Sequence, residues 1–321
     1  MIQQLDYLIV GGGPAGLQLA YSLQKENRDY LVLEAADRVG LFFELYPRHR
    51  KLLSINKRFT GYDDGDAEGK LRYDWNSLLC DDAEMAFTNY STEYFADARD
   101  YARYLRDFVA RFDLAIQYDT RVGNVIQHEG GYLVTSTDGR QYACKALVVA
   151  TGVWKPYVPD IPGIDLTENY MDCSIDPQDF ADQKVLIIGK GNSAFETANH
   201  LCHVTRVTHL CSPSPIKFAW QTHFFGHLRA VNNDFLDTYI LKGQNSVLDA
   251  DIKSIERDGD ELVVSLRFSH ADGQSAVLAY DRIITCTGFR WDYASLFGDG
   301  VQPKLACENR LPAMTRRWET E

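Results

Sequence analysis

Tyr7-Leu8-Ile9-Val10-Gly11-Gly12-Gly13-Pro14-Ala15-Gly16 decides how this chain is read: four apolar residues run into a glycine-rich break. Leu17, Leu19, Ala20 and Leu23 then recur at helical spacing, and Tyr30 to Leu33 is a second apolar run. Strand, glycine turn, helix, strand is the order a parallel βαβ unit requires. Gly11, Gly13 and Gly16 fill the GxGxxG pattern in that context, with Pro14 and Ala15 between them. The first glycine allows the tight turn, the second lets backbone approach a pyrophosphate, and the third lets helix pack on strand. Glu34 ends the next strand, 23 residues after Gly11, where a carboxylate accepts hydrogen bonds from the ribose hydroxyls of an adenosine. A dinucleotide site is expected here.

The pattern recurs in the middle of the chain. Val185-Leu186-Ile187-Ile188 reads as a strand, Gly189-Lys190-Gly191-Asn192-Ser193-Ala194 as a turn, Phe195 to Cys202 as a helix and Val207 to Leu210 as the next strand. Alanine is tolerated at the third position, so Gly189, Gly191 and Ala194 define a second dinucleotide turn. Where Glu34 stands in the first unit, this one has Cys211-Ser212-Pro213-Ser214, with Lys217 close behind and no carboxylate. Hydroxyls and a lysine suit a 2'-phosphate, so NADPH is expected over NADH, which stays open; Ser212 to Pro215 reads equally as a plain turn. Two such sites in one chain let a nicotinamide deliver hydride to a second held cofactor, and a flavin, as FAD, is the natural acceptor.

Between the two units, Asp97 to Phe112 places Tyr101, Tyr104, Leu105, Phe108, Val109 and Phe112 on one helical face. Short alternating runs with turns at Gly130-Gly131 and Asp138-Gly139, and later at Asp258-Gly259 and Asp272-Gly273, read as antiparallel meanders. Leu147-Val148-Val149 leads to Ala150-Thr151-Gly152, and Ile283-Ile284-Thr285-Cys286 leads to Thr287-Gly288, the same ending twice. Pro156, Pro159 and Pro162 stiffen the crossing between. The expected fold class is α/β: two Rossmann-like, three-layer dinucleotide-binding domains, the second inserted in the first, with antiparallel β-meanders. Residues 1–160 and 281–321 are expected to form the FAD-binding domain and 161–280 the NAD(P)H-binding domain.

Composition narrows the partners. At 321 residues, 45% hydrophobic and 24% charged, the chain is globular and long enough for two cores. A net charge of -12 repels phosphate backbones, so nucleic acid is excluded as an expected partner. No apolar stretch reaches membrane-spanning length, and Met1 to Asp6 runs into a strand without a positively charged leader, so no membrane and a cytoplasmic location are expected. The seven cysteines, Cys80, Cys144, Cys173, Cys202, Cys211, Cys286 and Cys307, show no CxxC and no metal-ligand spacing. Neither a metal site nor a dithiol relay is expected; a homo-oligomer is left open.

Gly11 to Gly16 with Glu34, the Thr151-Gly152 to Pro162-Gly163 linker, Gly189 to Ser193, and Thr287-Gly288 together resemble the two-dinucleotide flavoproteins that include the flavin-containing monooxygenases. Tyr46 to Lys51, Ser54 to Lys57, Asp74 to Leu79, Asn192 to Ala198, Trp220, Thr222-His223 and Leu236 to Tyr239 narrow the resemblance to one branch of that family. The resemblance implies that Glu34, Ala35, Val122, Thr151 and Gly152 line the first cofactor and that Thr287 and Gly288 belong to the cofactor-binding set. It places Leu53-Ser54-Ile55-Asn56 over the flavin, where these monooxygenases carry an asparagine that hydrogen-bonds the flavin–oxygen adduct. Asn56 is then the expected catalytic residue, a neutral donor that supplies no early proton; a turn-capping role is the alternative. In the family a further strand and helix N-terminus cradle the flavin ring, so the C-terminal part, ending at Leu311 to Glu321, is expected to be incomplete or the site open.

The resulting expectation is an enzyme in which NADPH reduces FAD and oxygen then hydroxylates a small soft nucleophile or carbonyl compound. An NAD(P)H-dependent reductase or oxidase serving a quinone, a protein or oxygen is the alternative, and a non-catalytic interaction protein is the second. Arg48-His49-Arg50-Lys51 with Lys57-Arg58 reads as an anion-attracting patch or a solvated loop. Phe218, Trp220, His223, Phe224, Phe225 and His227 read as pocket lining or plain core.

Overall fold

The first apolar run becomes strand β1 (Gln3–Val10), the turn carries into helix α1 (Pro14–Lys25), and the second run becomes β2 (Tyr30–Leu33). The computed structural model describes residues 2–61, 69, 73–224, 226–238, 244–298, 301–306, 311–317 and 319–320. Helix α2 (Ala98–Phe112) and strands β3 (Ile116–Gln117), β4 (Val122–His128), β5 (Gly131–Ser136) and β6 (Gln141–Val149) follow. They form one sheet in the order β3-β2-β1-β6-β5-β4. β1 pairs in parallel with β2 and β6, and β4, β5 and β6 form an antiparallel meander turned at the glycine signals.

Alternation along β1 sorts its side chains to two cores. Leu8 and Val10 pack with Val125, Val134, Leu296 and Phe297, whereas Ile9 packs with Leu17, Tyr104 and Phe108. Helix α2 starts where Asp97 accepts the N–H of Arg99 at 2.8 Å and stops where Asp113 turns left-handed at φ 49°. Its apolar stripe, Tyr101, Tyr104, Leu105 and Phe108, is buried.

The second unit repeats the plan with β7 (Glu168–Asn169), β8 (Lys184–Ile188), helix α3 (Asn192–Leu201), β9 (Val207–Ser212), β10 (Ser246–Asp258), β11 (Glu261–Phe268), β12 (Ser275–Tyr280) and β13 (Arg282–Thr285). Their order is β12-β11-β10-β9-β8-β13-β7, parallel from β10 through β7 and antiparallel in the β10–β12 meander. The chain is mixed α/β, with one compact unit of residues 1–46, 50–155 and 290–321 and another of 47–49 and 156–289. The boundaries differ from the expected 160/161 and 280/281. β13 pairs with β8, so Thr287-Gly288 stays with the second sheet and the chain returns only at residue 290. No helix among the described residues is long and apolar enough to cross a membrane.

Phe108 is fully buried and touches both α1 and its own helix through aromatic edges to Tyr21, Tyr104 and Phe112. Phe108→Ala is expected to lower stability by about 3–5 kcal/mol, read as a shift in urea midpoint at unchanged slope.

Candidate functional site

Gly11 follows β1 at φ +109°, donates its N–H to the Leu33 carbonyl at 2.9 Å, and sits where a Cβ would lie 2.6 Å from the Ala150 carbonyl oxygen. Only glycine meets both conditions. A Cβ on Gly16 would lie 2.0 Å from the Gly11 carbonyl oxygen, so this glycine lets α1 close onto the turn. Gly13 differs: a Cβ there meets no heavy atom within 4 Å, and as N-cap of α1 it offers no side chain to the helix. Open space therefore faces the N–H groups of the first helical turn, the groups that bind a diphosphate. Pro14 and Ala15 begin the helix there.

Glu34 faces this turn. Its Oε2 accepts the Gly12 N–H at 2.7 Å and its Oε1 the Ala36 N–H at 2.9 Å. The Thr120 N–H donates to the Glu34 carbonyl and the Asp119 N–H to that of Ala36, so the chain leading to buried Val122 runs beside Glu34 and Ala35. Across β1, the Ala150 N–H donates to Val10 at 2.8 Å and brings Thr151 and Gly152 to the same end of the sheet. Thr151 Oγ1 accepts from the Trp291 indole at 3.3 Å. The open cradle at Gly13 and the fixed carboxylate fit a dinucleotide such as FAD.

The second turn repeats these bonds. The Gly189 N–H donates to Cys211 at 2.8 Å, as Gly11 does to Leu33, and the Cys286 N–H donates to Ile188 at 2.8 Å, as Ala150 does to Val10. Gly189 has φ +133°, and Gly191, the N-cap of α3, again leaves a Cβ nothing to meet within 4 Å. Gly152 and Gly288 match as well, both left-handed with open space beyond them. Thr287 donates its hydroxyl to the Tyr157 carbonyl. Asn192 is committed to positioning: its Nδ2 donates to His227 at 2.8 Å and its Oδ1 accepts the Arg229 N–H at 2.9 Å. Ser193 lines a small cavity with Tyr170 and Thr285 to Phe289, and Ala194 is buried beneath it.

The structure corrects the sequence reading at the far edge of this turn. Ser212 pairs with Asp249 across β9 and β10, so a carboxylate does reach the edge, from a strand 37 residues further on. Lys190, the middle residue of the second glycine turn, holds it in an ion pair. The Ser212 hydroxyl donates to Ser214 at 3.2 Å, and Lys217 is exposed. Spacing along the chain carried no signal for Asp249; only strand register does.

Asn56 is buried, 4% exposed, with Nδ2 donating to the Ser91 carbonyl at 2.7 Å and its own N–H to Tyr94 at 2.9 Å. Two residues away the Ser54 hydroxyl is buried with no hydrogen-bond partner among the described residues, an orphan polar atom in the segment expected over the flavin. The first three residues of the basic run are tied down by hydrogen bonds, whereas Lys51 and Arg58 are exposed. Arg48 donates to the Tyr170 carbonyl at 2.7 Å, the His49 N–H to Glu196 at 2.8 Å, and Arg50 to the Glu44 carbonyl. Buried Glu196, which also accepts the Tyr170 hydroxyl at 2.7 Å, was not singled out in the sequence. The aromatic cluster is not core: Trp220 is 72% and Phe224 51% exposed. Phe225, Tyr239, Cys307, Trp318 and Glu321 lie outside the described residues.

Comparison with known proteins fits this architecture. Residues 8–320 match the pyridine nucleotide-disulphide oxidoreductase family, and the chain belongs to it. It is 42% identical to FAD-dependent oxidoreductase domain-containing protein 2 of Mus musculus over 98% of this chain and 51% of that protein. The chain thus spans about half the length of the curated relatives it matches. Among solved structures, the bacillithiol disulfide reductase Bdr (YpdA) of Staphylococcus aureus shares the fold at TM-score 0.72 and 20% identity, over 95% of this chain and 83% of that one. The flavin-containing monooxygenase of Stenotrophomonas maltophilia does so at TM-score 0.71 and 20% identity, over 98% and 86%. The resemblance carried by the two glycine turns and Glu34 holds.

Gly13→Val and Gly11→Val separate binding from folding. The first, with room for its side chain, is expected to keep the apo-protein's melting temperature within about 2 °C while abolishing flavin retention. The second is expected to lower the melting temperature by more than about 5 °C, as thermal denaturation of the apo forms will read.

Proposed function

We propose that this chain is the nucleotide-binding body of a FAD-dependent oxidoreductase that takes electrons from a nicotinamide dinucleotide and delivers them to oxygen, as a monooxygenase of a small molecule. One observation carries the reading: two glycine turns with the same backbone hydrogen bonds, each with an open cradle at a helix N-terminus. Bound FAD would supply the hydride acceptor and the reaction with oxygen. In the first turn the N–H groups of α1 would hold the diphosphate and Glu34 the ribose hydroxyls. In the second, the first turn of α3 would hold the dinucleotide's diphosphate.

The state of four of the seven thiols supports oxygen over a disulfide as acceptor. Burial pushes the Cys144 and Cys211 thiols up to about 11 and raises those of Cys173 and Cys286 as well. These four are free and buried, so they stay protonated and poorly nucleophilic near neutral pH. Of the two similar structures, one named a disulfide reductase and one a monooxygenase, this environment suits the second. Asn56 would then act as a neutral donor whose amide is oriented by Ser91. In the sequence Ser212 and Lys217 suggest NADPH, but the Ser212 hydroxyl donates to Ser214 and Asp249 pairs beside it, so the choice of dinucleotide turns on Asp249.

Anaerobic mixing of the FAD-loaded protein with reduced dinucleotide is expected to bleach the flavin. Subsequent aeration with thioethers, amines or ketones should then yield less peroxide than dinucleotide oxidised for at least one class. Peroxide equal to dinucleotide with every class would make the protein an oxidase instead. Asn56→Ala is expected to raise the peroxide fraction while flavin reduction stays within about threefold, roughly 0.6 kcal/mol.

A further inference from the structure

The matching bonds of the two turns give a residue-by-residue equivalence: Gly11 with Gly189, Gly12 with Lys190, Gly13 with Gly191, and Glu34 with Ser212. In the first turn, a Cβ on Gly12 would lie 2.9 Å from both Glu34 Oε2 and a methyl of Val39, so a side chain there would have to displace them. The Gly12 N–H holds the Glu34 carboxylate directly. In the second turn that position carries Lys190, whose side chain is only 4% exposed. Its ammonium donates to the Ser212 carbonyl at 3.1 Å, the Ser214 carbonyl at 3.0 Å and the Asp249 carboxylate. An ammonium has three protons. All are engaged, leaving Lys190 none for a phosphate.

Asp249 is the group that this arrangement presents. Its side chain is 33% exposed, and Lys190 binds one oxygen, Oδ1. The other, Oδ2, has His270 Nε2 at 4.0 Å, beyond hydrogen-bonding reach, with that imidazole on the exposed rim. The Asp249 carbonyl accepts the Ser269 N–H at 2.8 Å and the Ser269 hydroxyl donates to Pro213 at 2.6 Å, so the edge is tied down from both sides. The Ser212 hydroxyl, spent on Ser214, is not offered.

We propose that Asp249, held by Lys190 at the ribose edge of the second glycine turn, accepts the 2'-hydroxyl of the dinucleotide and makes this site select NADH over NADPH. A 2'-phosphate would meet a carboxylate oxygen and a lysine with no donor to spare. A free hydroxyl would find an acceptor, as it would at Glu34. Lys190 is the positioning residue: it replaces with its ammonium what Gly12 does with its N–H. The inference rests on the reading of the second turn as a nicotinamide dinucleotide site, and refines which dinucleotide enters.

Calorimetric titration of the FAD-loaded protein with NAD+ and NADP+ tests it without turnover. NAD+ is expected to bind at least about tenfold tighter. Asp249→Asn should weaken NAD+ by about tenfold and leave NADP+ equal or tighter, collapsing the preference. Because that change leaves Lys190 buried without its counter-ion, the double substitution Lys190→Met with Asp249→Leu is the second variant, and it should lose the preference in the same way. NADP+ binding tighter to the unaltered protein, or a preference unchanged in a folded variant, overturns this inference alone. Binding of neither dinucleotide overturns it together with the reading it rests on.

Discussion

A peptide N–H group at the start of a helix has no partner within the helix, and in this chain the two positions that could shield such groups are glycines. Gly13 and Gly191 are N-caps without side chains, each standing in open space just past the carboxyl end of a strand with parallel neighbours. A helix end left bare in this way favours an anion, because the aligned peptide dipoles and the unpaired donors act together. The turn geometry, the carboxylate at Glu34 and the paired Thr-Gly endings all serve to hold that bare end at the mouth of the sheet.

Two copies of this device diverge in how they hold the carboxylate at the strand edge. The first fixes its carboxylate from the strand that follows the helix and holds it with a backbone donor. The second borrows a carboxylate from the next strand over and holds it with a buried ammonium. A buried charged pair is costly unless fully satisfied, and Lys190 meets that condition with two carbonyls and one carboxylate. The arrangement leaves the second carboxylate oxygen of Asp249 outside the lysine's reach, which is the basis of the proposed preference for NADH.

Much of the fold was legible because its signals are local. The apolar run before Gly11, the helical period after it and the glycine turns of the meanders each act over fewer than about a dozen residues. Asp97 to Phe112 was readable for the same reason. What escaped was non-local. Asp249 is brought to Ser212 by strand register, and Glu196 receives the His49 N–H across a long sequence separation. The basic run looked like a charged surface because sequence shows charge and not the carbonyls that Arg48 and Arg50 find. The second unit closed later than expected because β13 completes its sheet, a fact of pairing rather than of composition.

The proposed chemistry requires each bare helix end to take a different dinucleotide. Gly191→Val tests this most directly, since its side chain has room in the empty turn and would fill the space of the second diphosphate alone. The purified variant should retain FAD and its colour but remain oxidised when mixed anaerobically with reduced dinucleotide that bleaches the unaltered protein. Bleaching at an unchanged rate, or loss of FAD from this variant, would contradict the division of labour between the two turns.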